Sequence, residues 1–215
     1  MVKGLLVMDV DSTLIKEEVI DLLGETYGVG QEIANITELA MQGHLNFEQS
    51  LKERVKLLKG MSTSSFDHIL SHIHLNDGAK ELIDYLHEND YKVGLVSGGF
   101  HEIVNIIARN LKIDFVKANH LEIANGKLTG NLEGEIVTPN LKKTMLIKWR
   151  DSLSIDKEKT VAMGDGANDI LMIKEAGTGI AFMAKPALKE VADTEINSGK
   201  LSDLIPIIKK KIDDD

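Results

Sequence analysis

Asp9 and Asp11 stand two residues apart directly after the apolar run Gly4-Leu5-Leu6-Val7-Met8, and Ser12 and Thr13 follow them. Carboxylates can act as acids, bases and nucleophiles, and as oxygen ligands for hard cations. Two further stretches offer compatible chemistry. Ser97-Gly98-Gly99 follows the apolar segment Lys92 to Val96, and Gly164-Asp165-Gly166-Ala167-Asn168-Asp169 follows Thr160 to Met163. Brought together, Asp9, Asp11 and Asp165 would repel one another unless a cation stood among them. An all-oxygen donor set suits magnesium, which keeps bound waters and takes substrate phosphate as a further ligand. Each stretch also has a plainer reading. Asp11 or Ser12 could cap the helix that follows, and Gly164-Asp165-Gly166 could be a tight turn.

The pattern around these residues says how they could meet. The first apolar run does not alternate and is bounded by polar residues, which predicts a short strand buried on both faces. Further strands are predicted over 92–96, 113–118, 160–163 and 179–182. Helices are predicted from Asp77-Gly78 through Leu86, over 100–111 and 141–153, and as a closing helix over 201–211. Strands alternating with helices imply a mostly parallel sheet wrapped on both faces, a three-layer α/β core. The carboxyl edge of such a sheet is where ligands bind. Asn125-Gly126 predicts a hairpin within 120–130. Between 16 and 74 the apolar residues recur at helical spacing with no strand, as in Phe47, Leu51, Val55 and Leu58, and glycines at 28, 30, 43 and 60 divide the helices. The chain is therefore expected to form a core from residues 1–15 and 75–215, with 16–74 inserted as a small helical cap. The last lysines and Asp213 to Asp215 are expected to form a frayed, solvated end.

Composition narrows the function. The net charge of −9 over 215 residues opposes non-specific nucleic-acid binding, which needs clustered Lys and Arg. The absence of cysteine excludes disulfides and thiolate chemistry. The N-terminal apolar run is too short for a membrane span or a signal-peptide core, so a cytoplasmic protein is expected.

Asp9-Val10-Asp11-Ser12-Thr13, Ser97-Gly98-Gly99, a downstream lysine and Gly164 to Asp169 together resemble the haloacid dehalogenase superfamily of phosphotransferases. The stretch Met41 to Leu58, with Leu45 to Leu51 and Arg54, is similar to the cap of the superfamily's phosphoserine-phosphatase branch, as are Val96 to Phe100 and Leu128-Thr129-Gly130. The resemblance implies a Rossmann-like core with an inserted cap, and magnesium-dependent hydrolysis of O-phospho-L-serine to serine and phosphate, the last step of serine biosynthesis. It implies Asp9 as nucleophile, forming an aspartyl phosphate, and Asp11 as general acid and base. Magnesium would lie on Asp9, the Asp11 carbonyl and Asp165, while Ser97, the Gly98 amide and Lys142 would hold the phosphate. Asn168 would touch substrate, and Asp169 would support the lysine or the metal waters. Lys143 adjoins Lys142, and both could instead be solvated helix-surface residues.

For substrate choice, the resemblance assigns Arg54 to the carboxylate of an amino acid, Glu18 to its ammonium group, and Phe47 with Met41 to an apolar wall. Glu18 and Arg54 could alternatively form a structural ion pair or face water. A phosphotransferase passing phosphate to another alcohol such as homoserine, and a phosphatase for another small metabolite, would keep the same motifs. A binding module that retains the fold is a third reading. The expected partner is a small molecule rather than nucleic acid or membrane, and the chain is expected to be a monomer or homodimer. His72 and His74 have no third ligand nearby and are read as solvated.

Overall fold

The computed structural model describes residues 2–213, with side chains through residue 210. Ten α-helices and seven strands are formed by these residues, with five short helical turns of other types. β1 (Gly4–Met8) is followed by α1 (Val19–Tyr27), α2 (Gly30–Met41), α3 (Phe47–Leu57), α4 (Phe66–Ser71) and α5 (Ala79–Glu88). Next come β2 (Tyr91–Phe100), α6 (His101–Asn110), β3 (Phe115–Ala124), β4 (Lys127–Glu133) and α7 (Pro139–Ser152). The chain closes with β5 (Thr160–Gly164), α8 (Ile170–Glu175), β6 (Thr178–Phe182), α9 (Pro186–Lys189), β7 (Thr194–Ile196) and α10 (Ile205–Asp213).

The strands make one sheet in the order β4-β3-β2-β1-β5-β6-β7. Every pairing is parallel except that of β3 with β4. β1 lies at the centre, and all five of its residues are buried. Its side chains divide by the two-residue period of a strand. Leu6 and Met8 enter the core shared with α5, α6 and the first helices, while Leu5 and Val7 face Leu146, Trp149 and Met172 on the other side. Helices on both faces of a mainly parallel sheet give the three-layer core that the alternating pattern implies.

Helices α1 to α4 leave this core after β1 and return before α5, where Ile15 and Leu75 pair in an antiparallel bridge. α3 starts with a capping box. Gln49 N–H donates to Asn46 Oδ1 at 2.9 Å and Asn46 N–H donates to Gln49 Oε1 at 3.0 Å. The apolar face of that helix is buried at Leu51, Val55 and Leu58. The end of α3 is stitched to the β3–β4 hairpin, with Gly60 N–H donating to Leu128 O and Leu128 N–H to Met61 O.

Several boundaries differ from the sequence reading, each for a local reason. β2 runs through Ser97, Gly98 and Gly99 to Phe100 rather than stopping at Val96. The segments 113–118 and 120–130 share one long strand, β3, which passes through the polar His120 and turns at Asn125 and Gly126, both at positive φ. α8 and β7 are only six and three residues long, too short for a periodic pattern to show. At the end of the chain, Lys209 is helical and stands 5.4 Å from the Tyr85 ring centroid rather than in a frayed tail. The expected fraying at Asp214 and Asp215 lies outside the described residues. His74 pairs with Glu17 at 2.8 Å, while its side chain remains mostly exposed. Among the described residues, no helix is long and apolar enough to cross a membrane.

Candidate active site

Four parallel strands, β2, β1, β5 and β6, end along one edge of the sheet, and their turns bring the singled-out residues together. Asp9 continues β1, with its N–H donating to Met163 O of β5 at 3.0 Å. Burial leaves its side chain 5% exposed, with the carboxylate between two donors. The Val10 amide donates to Oδ1 at 2.7 Å, and Lys142 Nζ lies 2.9 Å from Oδ2. The chain then turns tightly, with Ser12 at φ 57° and Ile15 N–H closing on Val10 O at 3.0 Å.

Lys142 is carried by the first turn of α7. Thr138 caps that helix, its Oγ1 accepting from Leu141 N–H at 3.2 Å, and Pro139 occupies the first helical position. The Lys142 side chain is fully buried and also reaches Asp169 Oδ1 at 2.7 Å. Lys143 points away, 3.4 Å from Glu175 and 43% exposed. Asp169 is itself held, accepting at Oδ2 from the Asp165 and Gly166 amides at 3.2 Å each. Gly164 is needed beneath it, since a Cβ there would stand 2.3 Å from Asp169 Oδ2.

Asp9, Asp165 and Asp169 each offer a carboxylate oxygen within 4.8 Å of the others. One buried ammonium cannot offset three carboxylates, and the proton affinities reflect this. Burial and Asp169 push Asp9 up to about 7 against the pull of Lys142. Burial, Asp169 and Glu18 push Asp165 up to about 6. Burial works against the Lys142 ammonium, but Asp169 and Asp9 outweigh it and raise its proton affinity. A compact set of oxygen donors with excess negative charge suits a divalent cation. The carboxylate that joins this cluster is that of Asp169, expected only in support, and not that of Asp11. The Asp11 carboxylate lies against Gly99, where a Cβ would come 3.2 Å from Oδ2. Among the described residues its Oδ1 has no hydrogen-bond partner although it is buried, and the same holds for Thr13 Oγ1. Burial, Glu18 and Asp9 together raise its proton affinity well above the usual carboxylate range.

Above these groups opens a cleft of about 470 Å³ between the sheet edge and α1, α2 and α3. Asp9, Asp11, Asp165 and Asn168 line its floor, and Glu18, Met41, Phe47 and Arg54 line it from the helices. Gly98 faces the cleft so closely under Phe47 that a Cβ would come 3.2 Å from Cζ. Ser97 is fully buried beside it, and its Oγ accepts from Gly99 N–H at 2.8 Å. Arg54 is half-buried and donates from Nε to Ser50 O at 3.3 Å. Among the described residues no carboxylate pairs with it. Glu18 accepts instead from Ser12 Oγ at 2.7 Å, so the alternative Glu18–Arg54 ion pair does not form. Met41 sits at the rim and is 77% exposed, because α2 ends there. It is thus not a buried wall in this arrangement. Lys185 also lines the cleft, and its amide donates to Asp165 O at 2.9 Å. Sequence reasoning passed over this lysine, although its place after β6, on the same sheet edge, was the available signal.

The haloacid dehalogenase-like hydrolase family model matches residues 6–174. The phosphoserine phosphatase of Streptococcus thermophilus is 56% identical over 207 residues, 96% of each chain. Among solved structures, a substrate-bound phosphoserine phosphatase complex superposes with a TM-score of 0.90 at 44% identity, covering 96% of this chain and 99% of the other. A phospho-aspartyl intermediate analogue of phosphoserine phosphatase gives the same TM-score, identity and coverage. The chain belongs to the haloacid dehalogenase-like hydrolase family and, within it, to the phosphoserine phosphatases.

Proposed function

We propose that this chain hydrolyses O-phospho-L-serine to L-serine and phosphate in two steps through a phosphoryl group carried on Asp9, with residues 16–74 acting as a cap. The observation that carries the choice of substrate is Arg54: a half-buried guanidinium in the cleft, paired with no carboxylate among the described residues, is suited to bind one. Glu18 faces the same cleft and suits the neighbouring ammonium group. Phe47 supplies the apolar wall, and Met41 at the rim joins it when the cap closes.

In the first step an Asp9 carboxylate oxygen attacks phosphorus and the bond from phosphorus to the serine oxygen breaks. Asp11 enters this step as a neutral acid, in keeping with its burial beside Glu18, and gives its proton to the departing oxygen. In the second step the Asp11 carboxylate takes a proton from water as that water attacks phosphorus. The bond to Asp9 then breaks, phosphate is released and Asp11 is again neutral. Ser97, the Gly98 amide and Lys142 hold the phosphoryl oxygens, and Asn168 contacts the substrate at the cleft floor. Asp9, Asp165 and the Asp11 carbonyl would hold magnesium, with Asp169 behind them; when bound it neutralises charge on the phosphoryl oxygens. We place the activity in the cytoplasm, which suits a chain without cysteine.

Phosphate release from phosphoserine, measured with magnesium and after chelation, tests this reading. Release that depends on magnesium supports it. Phosphoserine consumed without free phosphate, and with phosphate appearing on an added alcohol, would replace hydrolysis by transfer.

A further inference from the structure

The parallel ladder between β2 and β3 is interrupted at the catalytic edge. Val96 is matched with Lys117, but the next matched pair is Phe100 with Asn119. Ser97, Gly98 and Gly99 therefore stand against the single residue Ala118. Such a bulge aims a loop outward and takes its backbone groups out of the ladder. The Gly98 carbonyl is one of those groups, and even a part-buried carbonyl is costly to leave without a partner.

Asn119 answers that need. Its Nδ2 donates to Gly98 O at 2.8 Å, and its Oδ1 accepts from Val137 N–H at 2.8 Å. Both Asn119 and Val137 are buried, at 1% and 0% exposure. Val137 directly precedes Thr138, the cap of α7, and the Lys142 amide donates to Thr138 O at 3.0 Å. One buried side-chain amide thus bridges the loop that carries Ser97 and Gly98 to the helix start that delivers Lys142. The neighbouring ties from β3, Ala118 N–H to His101 Nε2 and Leu121 N–H to Glu102 Oε2, reach α6 and not the loop.

The bond to Gly98 also has a chemical consequence. The Gly98 carbonyl and the Gly99 N–H belong to one rigid peptide plane. Asn119 holds the carbonyl end, and Ser97 Oγ accepts from the N–H end at 2.8 Å. With a lone pair occupied in this way, Ser97 keeps its own hydrogen available for an anion.

We infer that Asn119 is a positioning residue: it fixes the Ser97–Gly99 loop relative to Lys142, so that the donors on both converge on one phosphoryl group. The inference rests on the proposed function, in which those donors hold phosphate. Misplacing such donors by about 1 Å can cost on the order of a hundredfold in rate.

The test compares wild type with Asn119→Ala, measuring kcat and KM for phosphoserine, inhibition by inorganic phosphate, and the melting temperature. The expected result is a rise of about tenfold in the phosphate inhibition constant with a fall of about ten- to a hundredfold in kcat/KM, per folded molecule. A lower melting temperature with unchanged phosphate inhibition and unchanged kcat/KM would reduce Asn119 to a structural role and overturn the inference. Asn119→Asp keeps the shape and the acceptor for Val137, and serves if the alanine variant does not fold. Its activity relative to wild type should fall as pH rises and an ionised carboxylate comes to face the Gly98 carbonyl. A ratio near one at every pH overturns the inference. Wild-type protein that neither hydrolyses phosphoserine nor responds to phosphate would instead strike the proposed function itself.

Discussion

The chemistry turns on two aspartates that the fold treats differently. Asp9 is clamped by the Val10 amide and Lys142, which orients its carboxylate, whereas Asp11 keeps one buried oxygen without a partner among the described residues and stays free to exchange a proton. Asp9→Asn should abolish turnover, because an amide cannot form the acyl phosphate. Asp11→Asn should lower kcat by about 10²- to 10⁴-fold, the usual worth of a general acid–base group. Steady-state phosphate release checks both. The carboxylates also make a pH prediction for metal-free protein. Asp9 is raised to about 7 and Asp165 to about 6, each from 3.8, so the folded state binds more protons than the unfolded one between those values. Stability of the metal-free protein from these groups must then fall as pH rises from about 4 through 7. Magnesium should reverse that fall. Melting curves across this range, with and without magnesium, check the sign, and a metal-free protein that gains stability through the same interval would contradict it.

At the scale of elements, the site depends on how α3 is started and what it leans on. The capping box at Asn46 and Gln49 begins the helix that carries Phe47 and Arg54, and the hairpin of β3 and β4 receives its far end. Asn46→Ala removes the side-chain acceptor and should cost about 1 kcal/mol, read as a lower melting temperature. Because Phe47 and Arg54 lie within the next eight residues, it should also raise KM for phosphoserine more than it lowers kcat. The part of this element readable from sequence was its apolar spacing. The docking partner was not readable, because the contact between Gly60 and Leu128 joins residues far apart in sequence, and only the tertiary fold brings them together.

Across the whole molecule, one sheet edge collects turns from strands distant in sequence, and the inserted helices roof them. The motifs at Asp9, Ser97 and Asp165 could be read because glycine and acidic residues interrupt apolar runs abruptly, and a parallel sheet aligns such interruptions. Fold class followed from the same alternation. The role of Asp169 as the third carboxylate of the cluster was harder to see, since it depends on a turn that folds Asp169 back onto the amides of Asp165 and Gly166. Asn119 gave no signal at all: its importance comes from a register shift between strands, which no local pattern records. Met41, an apolar residue expected in the cleft wall, lines the cleft from an exposed rim, because helix length and not apolar spacing decides where α2 ends.

The central claim is that Arg54 reads a carboxylate while the aspartates perform the transfer. Its most direct test is kcat/KM for L-phosphoserine and for phosphoethanolamine, which lacks only the carboxylate, in wild type and in Arg54→Ala. Wild type should prefer phosphoserine by at least about a hundredfold, on the order expected when a buried charge is left unpaired. Arg54→Ala should bring the two substrates close to parity, mainly by losing activity on phosphoserine. If Arg54→Ala keeps the wild-type preference, the carboxylate is recognised elsewhere and the assignment of the cap is wrong.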